Sequence, residues 1–333
     1  MSEPSAALEP DAAVERPGSR PHPHWPQGGP LEALGGAAPA APAWFADALA
    51  EEPERFTVQE GEAQIEVLAW GERGRPGVLL AHGLCAHADW WSFIAPQLLP
   101  HYRVAALSFT GMGASSARAR YGLFDYAQEL HACAQGAGLF DSGVAPVYVG
   151  HSHGGMAALY ASLAFRGRMS GAVLVDVGVG GFRRENDPLP GARRAAQPRG
   201  RTFATLAQAL AAFRLWPSQP CANTFILDFI ARRSLCEADG GWAWRFDPAL
   251  LSKLDMRDIY GVMGAPCGPL IHITGAESKI MARTGGAPHP VLQKRGPTLR
   301  IEGAGHHVML DQPLAFTDAL RGALATLRPD ARA

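Results

Sequence analysis

Val147-Tyr148-Val149-Gly150-His151-Ser152-His153-Gly154-Gly155 sets a serine where a hydroxyl can become a nucleophile. A β-branched and aromatic run ends in Gly-x-Ser-x-Gly, and a helix-forming run from Met156 to Ala161 follows at once. Strand, tight turn and helix in that order make a nucleophile elbow. Such a turn forces its central residue into strained backbone geometry and lifts the side chain clear of the sheet, so Gly150 and Gly154 are the residues that fit beside it. The bland alternative is a glycine-rich turn with no chemistry in it.

A serine hydroxyl attacks only when a base takes its proton, and the base in turn needs an orienting group. Gly303-Ala304-Gly305-His306-His307 follows the last predicted strand and offers His306 as the base, with His307 expected to pack nearby. An attacked carbonyl needs backbone N–H donors aimed at one point. The amide of His153, at the positive end of the helix after Ser152, is one expected donor. The loop His82-Gly83-Leu84-Cys85 after an earlier strand supplies the other, the amide of Leu84, because Gly83 permits the sharp turn. The side chain of His82 reads as a bridge between loop backbones, and Cys85 as a small buried packing residue.

The elements that must position these groups are legible. Ala63 to Trp70 alternates with period two, as a half-buried antiparallel strand does, and follows a strand beginning at Arg55. Val78-Leu79-Leu80-Ala81 is a short, continuously apolar run of the kind covered on both faces of a parallel sheet, Val104 to Leu107 reads as the next buried strand, and Ala172 to Val175, Leu270 to Ile273 and Thr298 to Ile301 read as further strands. Helices are expected over Trp90–Leu99, about Asp125–Gln135, Met156–Phe165 and Pro313–Leu327. The alternation gives an α/β fold with a mostly parallel, doubly wound sheet.

Between residues 182 and 256 the rhythm breaks into a basic, proline-containing loop, helical runs Thr202–Phe213 and Thr224–Arg233, and Trp242-Ala243-Trp244. That segment reads as an inserted helical cap, dividing the α/β core into residues 43–181 and 257–333. Residues 1–42 are rich in Pro, Ala and Gly and read as a disordered tail. His22 and His24 there are a weak metal pair, better taken as solvated. The start lacks the basic cluster and apolar core of a secretory signal.

A formal net charge of −1 over 333 residues gives no reason to expect nucleic acid or an anionic membrane as partner. No apolar run reaches the length of a membrane span. Five scattered cysteines with no Cys-x-x-Cys pair argue for reduced thiols, a cytoplasmic location and no metal site. Nothing in the sequence sets an oligomeric state.

From Phe56 to Leu327 the chain resembles the α/β-hydrolase superfamily, with His-Gly-Leu at 82–84, the elbow at 150–154 and Gly-Ala-Gly-His at 303–306 in the family's order. The resemblance implies an α/β-hydrolase fold and a Ser-His-acid triad, but the usual acid position after Leu270–Gly275 holds Ser278. Two carboxylates remain open: Asp176, at the end of the strand after the elbow, where some esterases of the superfamily keep their acid, and Glu277, beside Ser278. A turn-capping role competes for Asp176. Where the family often has Asp and Arg, this chain has Ser108 and Thr110, read as structural. The expected activity is cleavage of a carboxylic ester through an acyl-enzyme, without cofactor or metal. Thioester hydrolysis, C–C hydrolysis and an inactive binding protein are the alternatives. Phe213, Leu215, Trp216, Phe225, Phe229, Trp242 and Trp244 make the cap aromatic and apolar; most are expected to pack cap on core, and the substrate is expected to be a small-molecule ester with an apolar group beneath the cap.

Overall fold

Val78-Leu79-Leu80-Ala81 has no polar face to offer water, and it lies in a strand buried at every position, β3 (Gly77–Ala81). The computed structural model describes residues 28–178, 202–238, 240–256, 259–264 and 268–327. The remaining strands of the main sheet are β1 (Glu54–Glu60), β2 (Ala63–Trp70), β4 (Arg103–Leu107), β5 (Val147–His151), β6 (Gly171–Val175), β7 (Leu270–Gly275) and β8 (Thr298–Ile301). Their order across the sheet is β1-β2-β4-β3-β5-β6-β7-β8. β1 and β2 pair antiparallel, as do β2 and β4, and every later pairing is parallel.

Successive side chains leave a strand on opposite faces. Val78 and Leu80 accordingly join Val149, Val173 and Phe316 of the closing helix in one core, while Leu79 and Ala81 join Tyr148, Tyr126 and Ala157 in the other. The helices that cover these faces include α1 (Ala43–Ala50), α2 (Leu123–Gly136) and α3 (His153–Ala164). Between β6 and β7 come α4 (Leu206–Ala212) and α5 (Thr224–Arg233), and α6 (Pro313–Leu327) closes the chain. No helix among the described residues is long and apolar enough to cross a membrane.

Three expectations change. The expected helix Trp90–Leu99 is two short 3-10 turns, Ala88–Trp91 and Ala95–Leu98. Pro96 has no N–H to give a helical ladder there. The inserted segment is not purely helical: Leu235–Ala238 and Gly241–Trp244 form an antiparallel hairpin, and Leu254–Asp255 pairs with Tyr121–Gly122 of the core. Its basic loop lies outside the described residues, as do His22 and His24.

The last part of the presumed tail is packed. Leu31 is 1% exposed, and the Gly36 carbonyl accepts from Arg232 Nη2 at 2.7 Å. Phe45 of α1 wedges between Phe93 of the core and Phe225 and Phe229 of α5, with ring centroids 5.7, 4.9 and 5.9 Å away. Enough apolar surface exists just before residue 43 to repay ordering, although its neighbours are proline and alanine.

Candidate active site

The register of the central strands decides which residues meet. His151 pairs with Val175, and Val175 pairs with Ile273, so Ser152 and Asp176 emerge abreast at the carboxyl ends of β5 and β6. The Ser152 amide donates to the Val175 carbonyl at 2.9 Å, and the Asp176 amide to Ile273 at 2.8 Å. Ser152 has φ 51° and Asp176 φ 48°, both in the left-handed region that side chains rarely adopt. Two such residues side by side at strand ends are strain concentrated at one place.

Glycine is required on both sides of Ser152. A Cβ on Gly150 would lie 2.5 Å from the Gly154 carbonyl, and one on Gly154 would lie 2.5 and 2.6 Å from the carbonyl oxygens of His82 and Ala81. We expect Gly154→Ala to cost about 1–3 kcal/mol in urea unfolding, since backbone on two elements must shift. An unchanged midpoint would contradict this close packing.

His306 sits in the loop after β8 and is buried. Its Nδ1 donates to Asp176 Oδ2 at 2.7 Å. A carboxylate only accepts, so this bond keeps the proton on Nδ1 and leaves the lone pair on Nε2. Asp176, with no solvent exposure, also accepts from the Gly275 amide at 3.0 Å and from Ser278 Oγ at 2.6 Å. Ser278 Oγ in turn accepts from the amides of Ile280 and Met281. Glu277, the other candidate, is exposed; its backbone amide donates to Ala304, tying the two loops together. Of the two carboxylates, Asp176 is the one that meets His306.

The His306 loop is braced from the inserted segment. Gln219 Nε2 donates to Asp311 Oδ2, which also accepts from the Gly305 amide at 2.7 Å, and Gln219 Oε1 accepts from the His307 amide at 3.0 Å. Nothing in the spacing of the sequence points to Gln219.

After β3, the Ala86 amide closes a turn onto the Gly83 carbonyl, with Cys85 at φ 61°. That turn does not use the Leu84 amide. The His153 amide opens the first turn of α3, where helical N–H groups lack intrahelical partners. A Cβ on Gly83 would stand 3.5 Å from Ser152 Cβ, which measures how closely the two loops approach. His82 bridges loop backbones as expected: its Nδ1 donates to Gly83 O at 2.6 Å and its Nε2 accepts from the Phe109 amide at 3.0 Å. Burial lowers its pKa to about 3 and keeps it neutral.

His151 is a site residue the sequence reading passed over, although it is the variable position of the elbow. Its Nε2 donates to the His306 carbonyl at 3.0 Å and its ring lies 4.7 Å from that of His306. His307 packs against Trp90 and against both rings. Burial, together with the neighbouring rings, holds His151 and His307 well below the usual histidine range. His153 stands edge-on to Tyr126, and burial lowers its pKa to about 4.

Beside the turn at Cys85 lies an open cleft, lined among others by His87, Phe213, Trp216, Trp244 and Phe246. Phe225 and Phe229 do not line this cleft; they pack on α1, the structural role expected of most of these aromatic residues. Burial pushes the Cys85 thiol up to about 12, which disfavours its thiolate. Ser108 and Thr110 do structural work: Ser108 Oγ donates to Glu66 at 2.6 Å, and Thr110 gives both its amide and its hydroxyl to Glu129.

This fold, with a serine on a strand-to-helix elbow and a histidine held by a buried carboxylate, is that of a hydrolase. A sequence profile described as "Alpha/beta hydrolase family" matches residues 78–319, and the chain belongs to that family. Comparison with curated protein sequences gives no match. Among solved structures it is similar to the thioesterase domain from the curacin biosynthetic pathway (20% identity, 81% of this chain and 99% of that one, TM-score 0.63). It is likewise similar to E-2-(acetamidomethylene)succinate hydrolase (17%, 81% and 98%, 0.66) and to an esterase from Mycobacterium tuberculosis (24%, 85% and 96%, 0.62). At these identities the likeness concerns the fold.

Proposed function

We propose that the chain is a serine hydrolase that cleaves a carboxylic ester through an acyl-enzyme. Ser152 Oγ attacks the carbonyl carbon as His306 Nε2 takes its proton. Asp176 keeps the imidazole in the tautomer with Nε2 free and stabilises the imidazolium that forms. The amides of Leu84 and His153 bind the oxyanion. His306 then protonates the leaving alcohol, and a water deprotonated by His306 releases the acid. The observation that carries this reading is the 2.7 Å bond from His306 Nδ1 to a carboxylate buried beside the elbow serine.

The substrate we assign is a small-molecule ester whose apolar group lies in the cleft walled by Phe213, Trp216, Trp244 and Phe246. The inserted segment acts as a cap over that cleft. Two measurements test the reading together. A fluorophosphonate probe should label wild-type protein and leave Ser152→Ala unlabelled. Hydrolysis of p-nitrophenyl esters should speed up as the acyl chain grows from acetyl, since each buried methylene is worth about 0.8 kcal/mol. Folded protein inert to the probe would point to a binding module that kept the fold, and rates indifferent to chain length would remove the apolar subsite.

A further inference from the structure

Three buried histidines, His151, His306 and His307, each offer a ring nitrogen, and these atoms lie within 4.8 Å of one another. His306 donates Nδ1–H to the Asp176 carboxylate and His151 donates Nε2–H to the His306 carbonyl. Metal-binding histidines are held in this way, one nitrogen bonded to a carboxylate or carbonyl and the other turned to the ion. Among the described residues the buried His151 Nδ1 has no hydrogen-bond partner, and the His307 ring meets only the Pro217 carbonyl, outside good hydrogen-bond geometry. A buried polar atom without a partner is costly and calls for an explanation. All three residues are more than nine-tenths buried.

We propose that His151, His306 and His307 bind one divalent transition-metal ion of the Zn²⁺ type, and that the bound ion switches hydrolysis off. Three imidazoles suit zinc or copper rather than magnesium or calcium. Tetrahedral ligands at the usual Zn–N distance of about 2.1 Å stand about 3.4 Å apart, so ring nitrogens now within 4.8 Å of one another must draw together to close on an ion. A water fills the fourth position. The ion takes the Nε2 lone pair of His306, the same pair that would accept the Ser152 proton, and no bond of the protein is made or broken. The ion is an inhibitor, not a resident cofactor. The inhibition half rests on His306 acting as base, whereas the binding half does not.

The test uses the full chain with His22→Ala and His24→Ala, so that the terminal pair cannot compete. Zn²⁺ titrated into Ser152→Ala protein, which cannot turn over, should bind at one ion per chain. His307→Phe keeps an aromatic ring against Trp90 and removes one ligand, and should weaken binding at least 100-fold. Asp176→Asn removes the carboxylate behind His306 and should weaken it about 10- to 100-fold. Zn²⁺ should raise the Tm of the parent and not that of His307→Phe, which also reports whether the variant folds. In active protein Zn²⁺ should abolish ester hydrolysis and a chelator restore it. Each variant's activity is read relative to the same variant in chelator, and His307→Phe should resist the ion. Binding that is absent, or that survives both His307→Phe and Asp176→Asn unchanged, overturns the site. Histidine-dependent binding that leaves hydrolysis intact upholds the site, overturns the inhibition and counts against His306 as the base.

Discussion

Asp176→Asn should lower kcat by a factor on the order of 10⁴, the reference for that change in a Ser-His-Asp site. The carboxylate now accepts from three donors: the Gly275 amide, Ser278 Oγ and His306 Nδ1. An amide has one oxygen and one NH₂ group. With its oxygen kept by Gly275, the NH₂ faces His306 and forces the imidazole proton onto Nε2, where it blocks the base. Glu277→Gln should keep kcat within about fivefold, because an exposed carboxylate away from the ring contributes at most about 1 kcal/mol. Steady-state rates of both variants, with circular dichroism to show they are folded, decide the matter. A silent Asp176→Asn beside a dead Glu277→Gln would move the acid to the loop after β7. Two silent variants would leave Ser152 and His306 working as a dyad, with Asp176 a turn cap.

The second large effect is loss of stability in mild acid. Burial lowers the pKa of His82 to about 3 and of His153 to about 4, and His87, His151 and His307 shift in the same direction for the same cause. In the unfolded chain these groups take up protons near pH 6.5. The unfolded state therefore binds more protons as pH falls from about 6.5 toward 4, and each such histidine removes stability at up to about 1.4 kcal/mol per pH unit. Glu129 works the other way. Burial raises its pKa to about 7, so in the folded chain it holds its proton over the range where the unfolded carboxyl loses it, and it offsets one histidine. Several histidines against one glutamate leave a net loss. The unfolding free energy in urea should drop by at least about 2 kcal/mol between pH 6.5 and 5. A flat profile over that range would mean that these rings are hydrated or already protonated in the folded protein.

The sheet was readable because its strands carry their pattern within five or six residues: Val78–Ala81 and Val104–Leu107 are apolar where β3 and β4 are found, and Pro313–Leu327 carries its own helical period. The elbow was readable because strained geometry admits so few residue types. The stretch from Trp90 to Leu99 misled because burial on every side looks the same for a helix and for 3-10 turns, and only Pro96 warned of the difference. The hairpin at Leu235–Trp244 had an Asp239-Gly240 pair as its signal, outweighed by the helical runs before it. The choice between Asp176 and Glu277 was beyond the sequence altogether. It depends on which strand end lies beside the His306 loop, a contact spanning 130 residues. Ser278 was visible as a departure from the family pattern, but its hydroxyl's role in holding the carboxylate that replaces it required the β6–β7 pairing.

The packing of residues 31–45 makes the amino end of the described chain a poor place to cut. A version starting at residue 28 keeps every contact described for Leu31, Gly36 and Phe45. One starting at residue 43 strips the carbonyl from Arg232 and uncovers the surface beneath Leu31. One starting at Pro53 also removes Trp44 and Phe45, leaving Phe225 and Phe229 as a bare aromatic ridge on α5. Exposed patches of that kind drive chains to stick to one another. A fusion partner or affinity handle thus belongs before residue 28, and a trimmed version designed from the family profile, which begins at Val78, would discard the wedge between the core and α5 along with β1 and β2.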